Sequence, residues 1–281
     1  MTVRIVTDST ADLPPEVARE LGIAVVPLSV IFGDEVLKEG VEITPDRFYE
    51  RLAHSKTLPT TSAPSVGDFL SVYEPLLADK KTEILSIHIS SRLSATYSNA
   101  CQAAERLKGR GRIDVIDSQS VSFGLIFMSK AAALAARRGA KLDEIRALVL
   151  GMMPRVRIIV VLDTLEYVRR GGRIGRARAF LGAVLRVKPI ISLREGEVHP
   201  EERVRTKAMA LERIYQAATT AQRVQEVCLG YSTNPQEAEL LKERIEAALP
   251  AVPVGLIRVG LVLGVHLGPG VFGVGILEGV E

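Results

Sequence analysis

The sequence predicts an α/β fold with two domains: an N-terminal, largely parallel sheet with flanking helices, then a smaller C-terminal α/β sandwich domain. In the first half, short runs rich in β-branched residues alternate with helical patterns, as is typical of parallel sheets. In the second half, a hairpin pattern accompanies further strand and helix patterns. We place the boundary near Met153–Ile159 and expect domains at residues 1–155 and 156–281.

The first half opens with helix signals between strand patterns. Asp12 before Pro14 and Thr44 before Pro45 each place a capping residue ahead of a first-turn proline. The segment Ser120–Arg138 is apolar on most of its surface, which predicts a helix buried between layers. The predicted strands are Val3–Thr7, Ala24–Ile31, Glu83–Ile89 and Ile113–Ile116.

The second half contains a hairpin between helical segments. A helix is expected around Thr164–Arg170, and another from Arg176 after a glycine-rich turn. Lys188–Leu193 and the run from Val198 onward form a hairpin pattern, turned at Glu195-Gly196. The remaining predicted elements are helices at Lys207–Thr219 and Pro235–Leu249 and strands at Gln225–Tyr231, Val254–Val259 and Val271–Leu277.

Composition excludes several classes of protein. The 281 residues are 47% apolar and 25% charged, and the net charge of +3 is too small to demand a nucleic-acid partner. No run reaches the roughly 18 to 20 apolar residues that span a bilayer, and the first residues lead directly into a strand pattern instead of a signal peptide. We therefore expect a cytoplasmic protein. Cys101 and Cys228 are expected to be small buried hydrophobes, with no metal site.

Two hydroxyl-rich segments could carry chemistry. The segment Leu58–Ser65 offers four hydroxyls in a stiff loop punctuated by prolines, whereas Ser65 alone is enough to cap the following helix. In the second segment, an apolar strand ends in a serine-rich loop, and Ser94 precedes the predicted helix Ala95–Leu107. Ser94 could cap that helix or donate to an anionic ligand, since ligands bind at the carboxyl ends of strands and helix N-termini favour anions.

A histidine flanked by glycines forms the third candidate. His266 stands between Gly264 and Gly268, and one interpretation is that these glycines only form a tight turn. A lone histidine is more often structural. The alternative is that the glycines let backbone approach a ligand and leave the imidazole facing a cleft, where it suits a carboxylate.

The most basic stretch of the chain is Arg169–Arg178, named here the basic segment. It lacks the order of a phosphate-binding motif, so a solvated face and a docking surface for an acidic partner both stay open. One alternative function is a phosphotransferase that uses Asp8 with this segment. The simpler interpretation is that Asp8 bonds backbone amides and fixes its loop. No catalytic set or metal spacing appears, so we expect a protein that is not an enzyme.

Short motifs in a fixed order resemble the DegV family, from about Val3 to Leu277. The motifs are Ile5-Val6-Thr7-Asp8-Ser9-Thr10-Ala11-Asp12-Leu13, Val26-Pro27-Leu28, Pro59-Thr60-Thr61-Ser62 with Pro64-Ser65, Ser90-Ser91-Arg92-Leu93-Ser94 with Thr96-Tyr97, Asp163-Thr164-Leu165-Glu166-Tyr167, Gly171-Gly172-Arg173-Ile174, Val204-Arg205-Thr206, and His266 with Gly268-Pro269-Gly270. Each motif is short, and their joint presence in this order is what makes the resemblance specific.

The resemblance implies a fatty-acid carrier without a catalytic cofactor. A long-chain fatty acid such as palmitate would lie between the two domains, with its carboxylate held by Thr61 and Ser94 and with His266 nearby. A separate fatty acid kinase would act on the presented carboxylate, so the chain itself would be a lipid-binding carrier and no metal would be needed. The departures from the family pattern are Ala63, Ala95, and the pair Val265 and Leu267 beside the histidine.

Overall fold

The computed structural model describes residues 2–55, 57–181 and 187–280. The strands are β1 (Thr2–Asp8), β2 (Ala24–Val26), β3 (Ser29–Phe32), β4 (Glu35–Lys38), β5 (Thr60–Ser62), β6 (Thr82–His88), β7 (Ile113–Asp117), β8 (Val156–Val161), β9 (Lys188–Arg194), β10 (Glu197–Val204), β11 (Val224–Tyr231), β12 (Val254–Arg258) and β13 (Phe272–Glu278). The helices are α1 (Pro15–Leu21), α2 (Pro45–His54), α3 (Val66–Leu76), α4 (Thr96–Arg106), α5 (Phe123–Arg137), α6 (Leu142–Met152), α7 (Glu166–Arg170), α8 (Lys207–Thr219), α9 (Pro235–Ala248) and α10 (Leu261–Leu267).

Within those residues the strands form three sheets. The first is a parallel sheet in the order β2-β1-β6-β7. The second is a mixed sheet in the order β10-β9-β8-β13-β11-β12, in which the β11–β12 pair is parallel and the other pairs are antiparallel. The third is a small antiparallel sheet in the order β4-β3-β5. The predicted α/β fold, with a parallel sheet and flanking helices in its first half, is confirmed.

Helices and the two large sheets alternate as layers. Helices α5 and α6 lie between the parallel and mixed sheets, and their apolar residues form one core with residues of both. Helices α3 and α4 cover the other face of the parallel sheet, and α8 and α9 cover the other face of the mixed sheet. The burial predicted for the helix in Ser120–Arg138 is therefore confirmed, because α5 is covered from both sides.

A late helix completes an early core. Helix α10 packs its apolar residues among those of α2 and the small sheet, far from its own neighbours in sequence. Phe48 of α2 is fully buried in this core, beside Leu261 and Val265 of α10. The division at residues 155 and 156 stays a prediction, although β8 does begin at Val156. The part of the chain after that point supplies a core element to the part before it.

The predicted strand Ala24–Ile31 is wrong as one element. The structure divides it into β2, which pairs with β1 of the parallel sheet, and β3, which pairs with β4 and β5 of the small sheet. Pro27 lies between the two strands, and because proline has no N–H to donate, it interrupts a ladder of hydrogen bonds. The chain leaves one sheet and enters the other at this residue.

Capping was predicted correctly at one helix and wrongly at another. Ser65 caps α3 with a reciprocal pair of bonds, since its hydroxyl accepts from the Asp68 amide and the Asp68 carboxylate accepts from the Ser65 amide. Asp12 does not cap α1, whose N-cap is Pro14. Asp12 instead ends the short 3-10 helix Ser9–Ala11, with a φ of 51° that turns its side chain away from α1. Thr44 stands at the N-cap of α2 without a capping bond from its side chain.

The hairpin of the mixed sheet has the turn that the sequence predicted. Glu195 and Gly196 have φ values of 49° and 76°, the pair of positive angles that a two-residue turn of this twist requires. The Ser90 hydroxyl donates to the carbonyl of Gly196 at 2.8 Å, so the hairpin tip is fastened to the loop that follows β6. The helix predicted from Arg176 is a 3-10 helix over Gly175–Phe180 that ends at the extended Leu181, and residues 182–186 lie outside the described residues.

In the described ranges, no helix combines the length and the apolar character needed to cross a membrane.

Candidate functional site

A cavity of about 440 Å³ lies between strand β5, the loop that follows β6, the mixed sheet and helix α10. Its size falls within the range of roughly 300 to 1,000 Å³ that is usual for small-molecule sites. The apolar side chains that line it are Leu28, Ala63, Ile89, Leu93, Ala95, Val121, Phe123, Ile158, Val160, Val168, Ile191, Leu193, Val198, Val259, Val262, Leu263, Leu267 and Val271. The polar ones are Thr61, Ser62, Ser94, Asn99, Ser122, Arg173, Ser192 and His266.

Thr61 lies on β5, which is a strand and not the loop that the prolines suggested. It pairs with Val30 of β3, and this register holds the residue in the small sheet. Pro59 and Pro64 flank this strand, which lies at the edge of the small sheet, where prolines are tolerated. The Thr61 hydroxyl is 2.9 Å from Nε2 of His266, across 205 residues of sequence.

His266 lies in the last turn of α10, so the interpretation of its segment as a turn is wrong. The glycines mislead because Gly264 serves packing: a Cβ there would lie 2.7 Å from the Phe48 ring and 2.8 Å from the Tyr49 hydroxyl. Gly171 has a similar role beside the imidazole, where a Cβ would lie 2.2 Å from Nδ1 of His266. The next residue, Gly172, has open space around it, since a Cβ there would meet nothing within 4 Å.

The His266 imidazole is neutral at pH 7. Burial, and secondarily the positive charge of Arg173, lower the pKa of His266 to about 4. Its Nδ1 atom is buried and finds no hydrogen-bond partner in the parts of the chain that the structure describes. The imidazole can therefore take part in a hydrogen bond at Nε2, but it does not bring a formal charge to the cavity.

Ser94 lies just before α4, bonds to its first residue and borders the cavity. Its hydroxyl oxygen accepts from the Thr96 amide at 3.3 Å and lies 2.8 Å from the Thr96 hydroxyl. The N-cap position by backbone geometry belongs to Ala95, which has no side chain to offer. Both alternatives raised by the sequence are thus compatible with the geometry, since a hydroxyl that accepts from an amide still has a hydrogen to donate.

The three predicted site residues come from β5, the loop before α4, and α10, and all of them line one cavity. Thr61 and His266 are in direct contact. We name Thr61, Ser94 and His266 the head-group site, after the role that the family resemblance predicts for them. Arg173 stands next to it, since its Nε donates to the carbonyl of Leu93 at 3.1 Å and its side chain is exposed.

Asn99 was missed by the sequence reasoning. Its side-chain amide donates to the carbonyl of Pro64 at 2.8 Å, which ties helix α4 to the segment that carries Thr61. Because Ser94 precedes the same helix, this one bond couples the two hydroxyls of the head-group site. A polar residue five positions after a candidate serine is the only signal in the sequence, and it is too common to be diagnostic.

Replacing Asn99 by alanine is expected to weaken ligand binding about two- to tenfold. The lost hydrogen bond is worth about 0.5 to 1.5 kcal/mol, and its loss lets the Thr61 segment move relative to Ser94. Fluorescent fatty-acid displacement by palmitate measures the effect. Gln102→Ala, on an exposed position of the same helix, is the matched control. Equal affinities of the two variants would contradict the coupling.

Acidification is expected to destabilise the folded chain through His266. An imidazole whose pKa falls from 6.5 to about 4 on folding favours the folded state above about pH 6.5, and this contribution is lost as the pH falls toward 4. Urea unfolding at pH 7 and pH 4.5 measures it, and the decrease should be smaller in His266→Gln than in the unchanged chain. His54→Gln, at an exposed histidine, should keep the full decrease. The same decrease in all three proteins would contradict the assignment.

Asp8 lies in a buried polar network instead of at the cavity. One carboxylate oxygen accepts from the Thr10 amide at 3.1 Å, and the other accepts from the Ile89 amide at 3.0 Å and from Nδ1 of His88 at 2.9 Å. Nε2 of His88 is 2.6 Å from the Ser86 hydroxyl, which in turn accepts from the Tyr73 hydroxyl. Asp8, Ser86 and His88 are fully buried, so this serine, histidine and aspartate cannot meet a substrate.

The bonds of Asp8 agree with its simpler interpretation, in which the carboxylate fixes its loop through backbone amides. They leave Asp8 inaccessible as the base of a phosphotransferase. In the basic segment, Arg169 and Arg170 pair with Glu166 and Arg176 pairs with Glu197, all at the surface. The segment therefore has the character of a charged face, and Arg173 is the member that reaches the cavity.

The described residues contain no group of three or more histidine, cysteine, aspartate or glutamate side chains that could hold a metal ion. Cys228 is buried, and burial raises the pKa of its thiol to about 12. Cys101 is half-buried on α4, and neither thiol is in a disulfide.

Comparisons with known proteins agree on one family. The family model described as "Uncharacterised protein, DegV family" matches residues 2–279. A DegV domain-containing protein of Halalkalibacterium halodurans is 36% identical over 282 residues, with 96% of each chain covered. A solved structure from Thermus thermophilus, titled as fatty acid binding of a DegV family protein, has a TM-score of 0.90 at 33% identity and covers 99% of this chain and 100% of its own. A stearic acid-binding protein from Eubacterium ventriosum has a TM-score of 0.91 at 26% identity, with 98% of each chain covered.

Proposed function

The chain belongs to the DegV family, and on that premise we propose that it binds a long-chain fatty acid, such as palmitate, in the cavity between its two domains. The observation that carries the proposal is an apolar cavity with two hydroxyls and an imidazole, from three distant segments, on its wall. One solved relative is described as binding fatty acid and another as binding stearic acid, which supports this ligand class.

The cavity wall suits an acyl chain energetically. Palmitate has about fourteen methylenes, and burying each contributes roughly 0.8 kcal/mol, so the gross gain is about 11 kcal/mol. Association and ordering costs take a large part of that gain. What is left is compatible with tight but reversible binding, which a carrier needs.

The head-group site suits a carboxylate that must stay accessible. The hydroxyls of Thr61 and Ser94 can donate to the carboxylate oxygens, and the neutral His266 can donate through Nε2 to the Thr61 oxygen while that hydroxyl turns to the ligand. An unpartnered buried carboxylate would cost several kcal/mol, and these donors offset that cost. Because the exposed Arg173 borders the cavity, the carboxylate end lies toward solvent.

We extend the proposal to a carrier role in the cytoplasm, in which a separate fatty acid kinase phosphorylates the presented carboxylate. The exposed Arg173 beside the head-group site, and the exposed Arg205, are the cations we assign to kinase docking. In a coupled reaction with a purified bacterial fatty acid kinase and ATP, at palmitate concentrations that saturate each variant, Arg173→Ala and Arg205→Ala should lower acyl-phosphate formation. Arg137→Ala, exposed at the end of α5, is the control. An unchanged coupled rate would return these arginines to a solvated face.

The direct test of fatty-acid binding is chemical analysis of the purified protein. Mass spectrometry of an organic extract should find a long-chain fatty acid close to one equivalent per chain, and delipidated protein should take up palmitate or oleate. An extract without acyl chains, together with no uptake of either acid, would refute the proposal. Turnover of ATP by this chain alone would favour the phosphotransferase alternative.

A further inference from the structure

We propose that the carboxyl groups of Asp12 and Glu39 position helix α10, and through it His266, in the head-group site. The two side chains are named here the carboxyl pair. The sequence predicted Asp12 to be a helix cap and gave no role to Glu39. The inference deepens the proposed function, on which its ligand-binding consequence rests.

Asp12 joins three segments of the chain. Its Oδ1 accepts from the Gly260 amide at 3.0 Å, directly before α10, and its Oδ2 accepts from the Ser122 hydroxyl at 2.6 Å, directly before α5. Asp12 and Ser122 both have positive φ values, 51° and 47°, which residues other than glycine rarely adopt. Backbone strain of this kind persists where surrounding contacts over-determine it, and here the carboxylate supplies those contacts.

Glu39 supplies the second anchor. It follows β4, it is only 7% exposed, and its Oε1 accepts from the Val262 amide at 3.0 Å in the first turn of α10. Its own amide donates to the carbonyl of Leu28, so the residue is fixed to the small sheet. In the described ranges its Oε2 is buried without a hydrogen-bond partner, and the neighbouring Ser9 hydroxyl acts to lower its pKa.

The two carboxyl groups meet at one glycine. A Cβ on Gly260 would lie 2.4 Å from Oδ1 of Asp12 and 2.6 Å from Oε1 of Glu39, so any side chain there would push the pair away from the amides. Gly260 is the N-cap of α10 and has no side chain of its own to cap it. The carboxyl pair therefore provides the side-chain acceptors that this helix start otherwise lacks.

The surroundings of the carboxyl pair favour the protonated form of its two acids, which reduces the repulsion between them. Burial and the neighbouring charge raise the pKa of Asp12 well above its ordinary value, and burial raises the pKa of Glu39 to about 7. Asp8 adds negative charge from β1, and Tyr49 faces the pair from α2 with its hydroxyl donating to the Val259 carbonyl. Arg258 forms an ion pair with Asp46, and its guanidinium carbon lies 5.4 Å from the centre of the Tyr49 ring.

The placement of His266 depends on this anchor because α10 is short. It has seven residues, and isolated helices of this length are unstable in water. Its first turn is held by the carboxyl pair and its last turn carries His266, about 9 Å along the axis by the rise of 1.5 Å per residue. Val262 and His266 both line the cavity, so a shift of the helix start moves the wall and the imidazole together.

Asp12→Ala and Asp12→Asn separate positioning from general damage to the fold. Asparagine tolerates a positive φ, can accept from the Gly260 amide, and can donate to the Ser122 oxygen, so it keeps the geometry without the charge. In Asp12→Ala we expect the His266 pKa, followed by NMR of the imidazole signals, to rise from about 4 toward 6.5 as the ring becomes exposed. Palmitate affinity of the delipidated protein should fall about tenfold, and Asp12→Asn should restore both values, with affinity within about twofold.

Two outcomes would overturn the inference. One is a folded Asp12→Ala protein that keeps the His266 titration of the unchanged chain, and the other is an Asp12→Asn protein that loses as much as Asp12→Ala. If Asp12→Ala does not fold, Gly260→Ala is the second variant, since it displaces both carboxyl groups by contact only at their flexible ends. It must raise the His266 pKa for the inference to stand. Because this titration needs no ligand, it tests the inference even if the unchanged chain binds no fatty acid, which would refute the proposed function alone.

Discussion

Replacing Thr61 and Ser94 together by alanine is expected to lower the affinity for palmitate about 100-fold. Each hydroxyl can donate one hydrogen bond to an ionised carboxylate, and such bonds are worth about 1.5 to 3 kcal/mol each. The two losses do not add fully, because His266 is freed from Thr61 and can turn toward the ligand. A net loss of about 3 kcal/mol corresponds to the expected factor. Isothermal titration of delipidated protein with palmitate measures it.

The matched control is the double variant Thr60→Ala with Ser98→Ala. Thr60 neighbours Thr61 on β5 and Ser98 lies on α4, and both are exposed and absent from the cavity wall. This control removes the same two residue types, one from the same strand and one from the helix that follows Ser94, and should leave affinity unchanged. If both double variants bind palmitate as the unchanged chain does, the carboxylate is held elsewhere and the head-group site is refuted.

Replacing Gly275 by alanine is expected to destabilise the chain by about 1 to 3 kcal/mol and to disturb the cavity. A Cβ on Gly275 would lie 2.2 Å from the Cβ of Phe123, and Gly230 and Gly273 also face the Phe123 ring. These three residues, named here the glycine platform, let the start of α5 lie directly on the mixed sheet. Overpacking at such a contact forces a backbone shift, because a Cβ cannot rotate away. Phe123 lines the cavity, so the shift should also lower the amount of fatty acid that co-purifies.

Urea unfolding and quantitative lipid extraction measure the two effects of Gly275→Ala. Gly255→Ala is the matched control, since Gly255 lies in β12 of the same sheet and its added Cβ would be 3.5 Å from the nearest atom, an ordinary contact. The control should change stability by no more than about 0.5 kcal/mol, as expected for a change without a packing defect. Equal stability of the two variants would show that the sheet yields without cost and would contradict the role of the platform.

The alternation of strands and helices could be predicted because each element has a local signal. Lys207–Thr219 was predicted with the bounds that the structure has, since its polar start and apolar stripe lie within one segment. The strand Ala24–Ile31 was predicted wrongly because both halves are apolar, and only the sheet that each half joins tells them apart. Local pattern therefore identifies elements better than it identifies their partners.

The head-group site could be named from sequence only through the family resemblance. Spacing placed Ser94 before a helix, but nothing local relates Thr61 to a histidine 205 residues away. The helix that carries His266 was missed because its glycines favour a turn, and what stabilises it is distant: the Phe48 ring, and the carboxyl groups of Asp12 and Glu39. Tertiary contacts of this kind leave no periodic pattern in the segment that they stabilise.

Because helix α10 is synthesised near the end of the chain, the order of synthesis affects when the chain can bind a ligand. A ribosome makes Thr61 and Ser94 long before it makes His266, and the core that α2 forms with the small sheet stays incomplete until Leu261 and Val265 emerge. A nascent chain can therefore form the parallel sheet early, yet it has neither a closed cavity nor a complete set of donors for a carboxylate. On the proposed function, we expect fatty acid to bind the finished chain in preference to a truncated product, and by mass action to stabilise the finished chain.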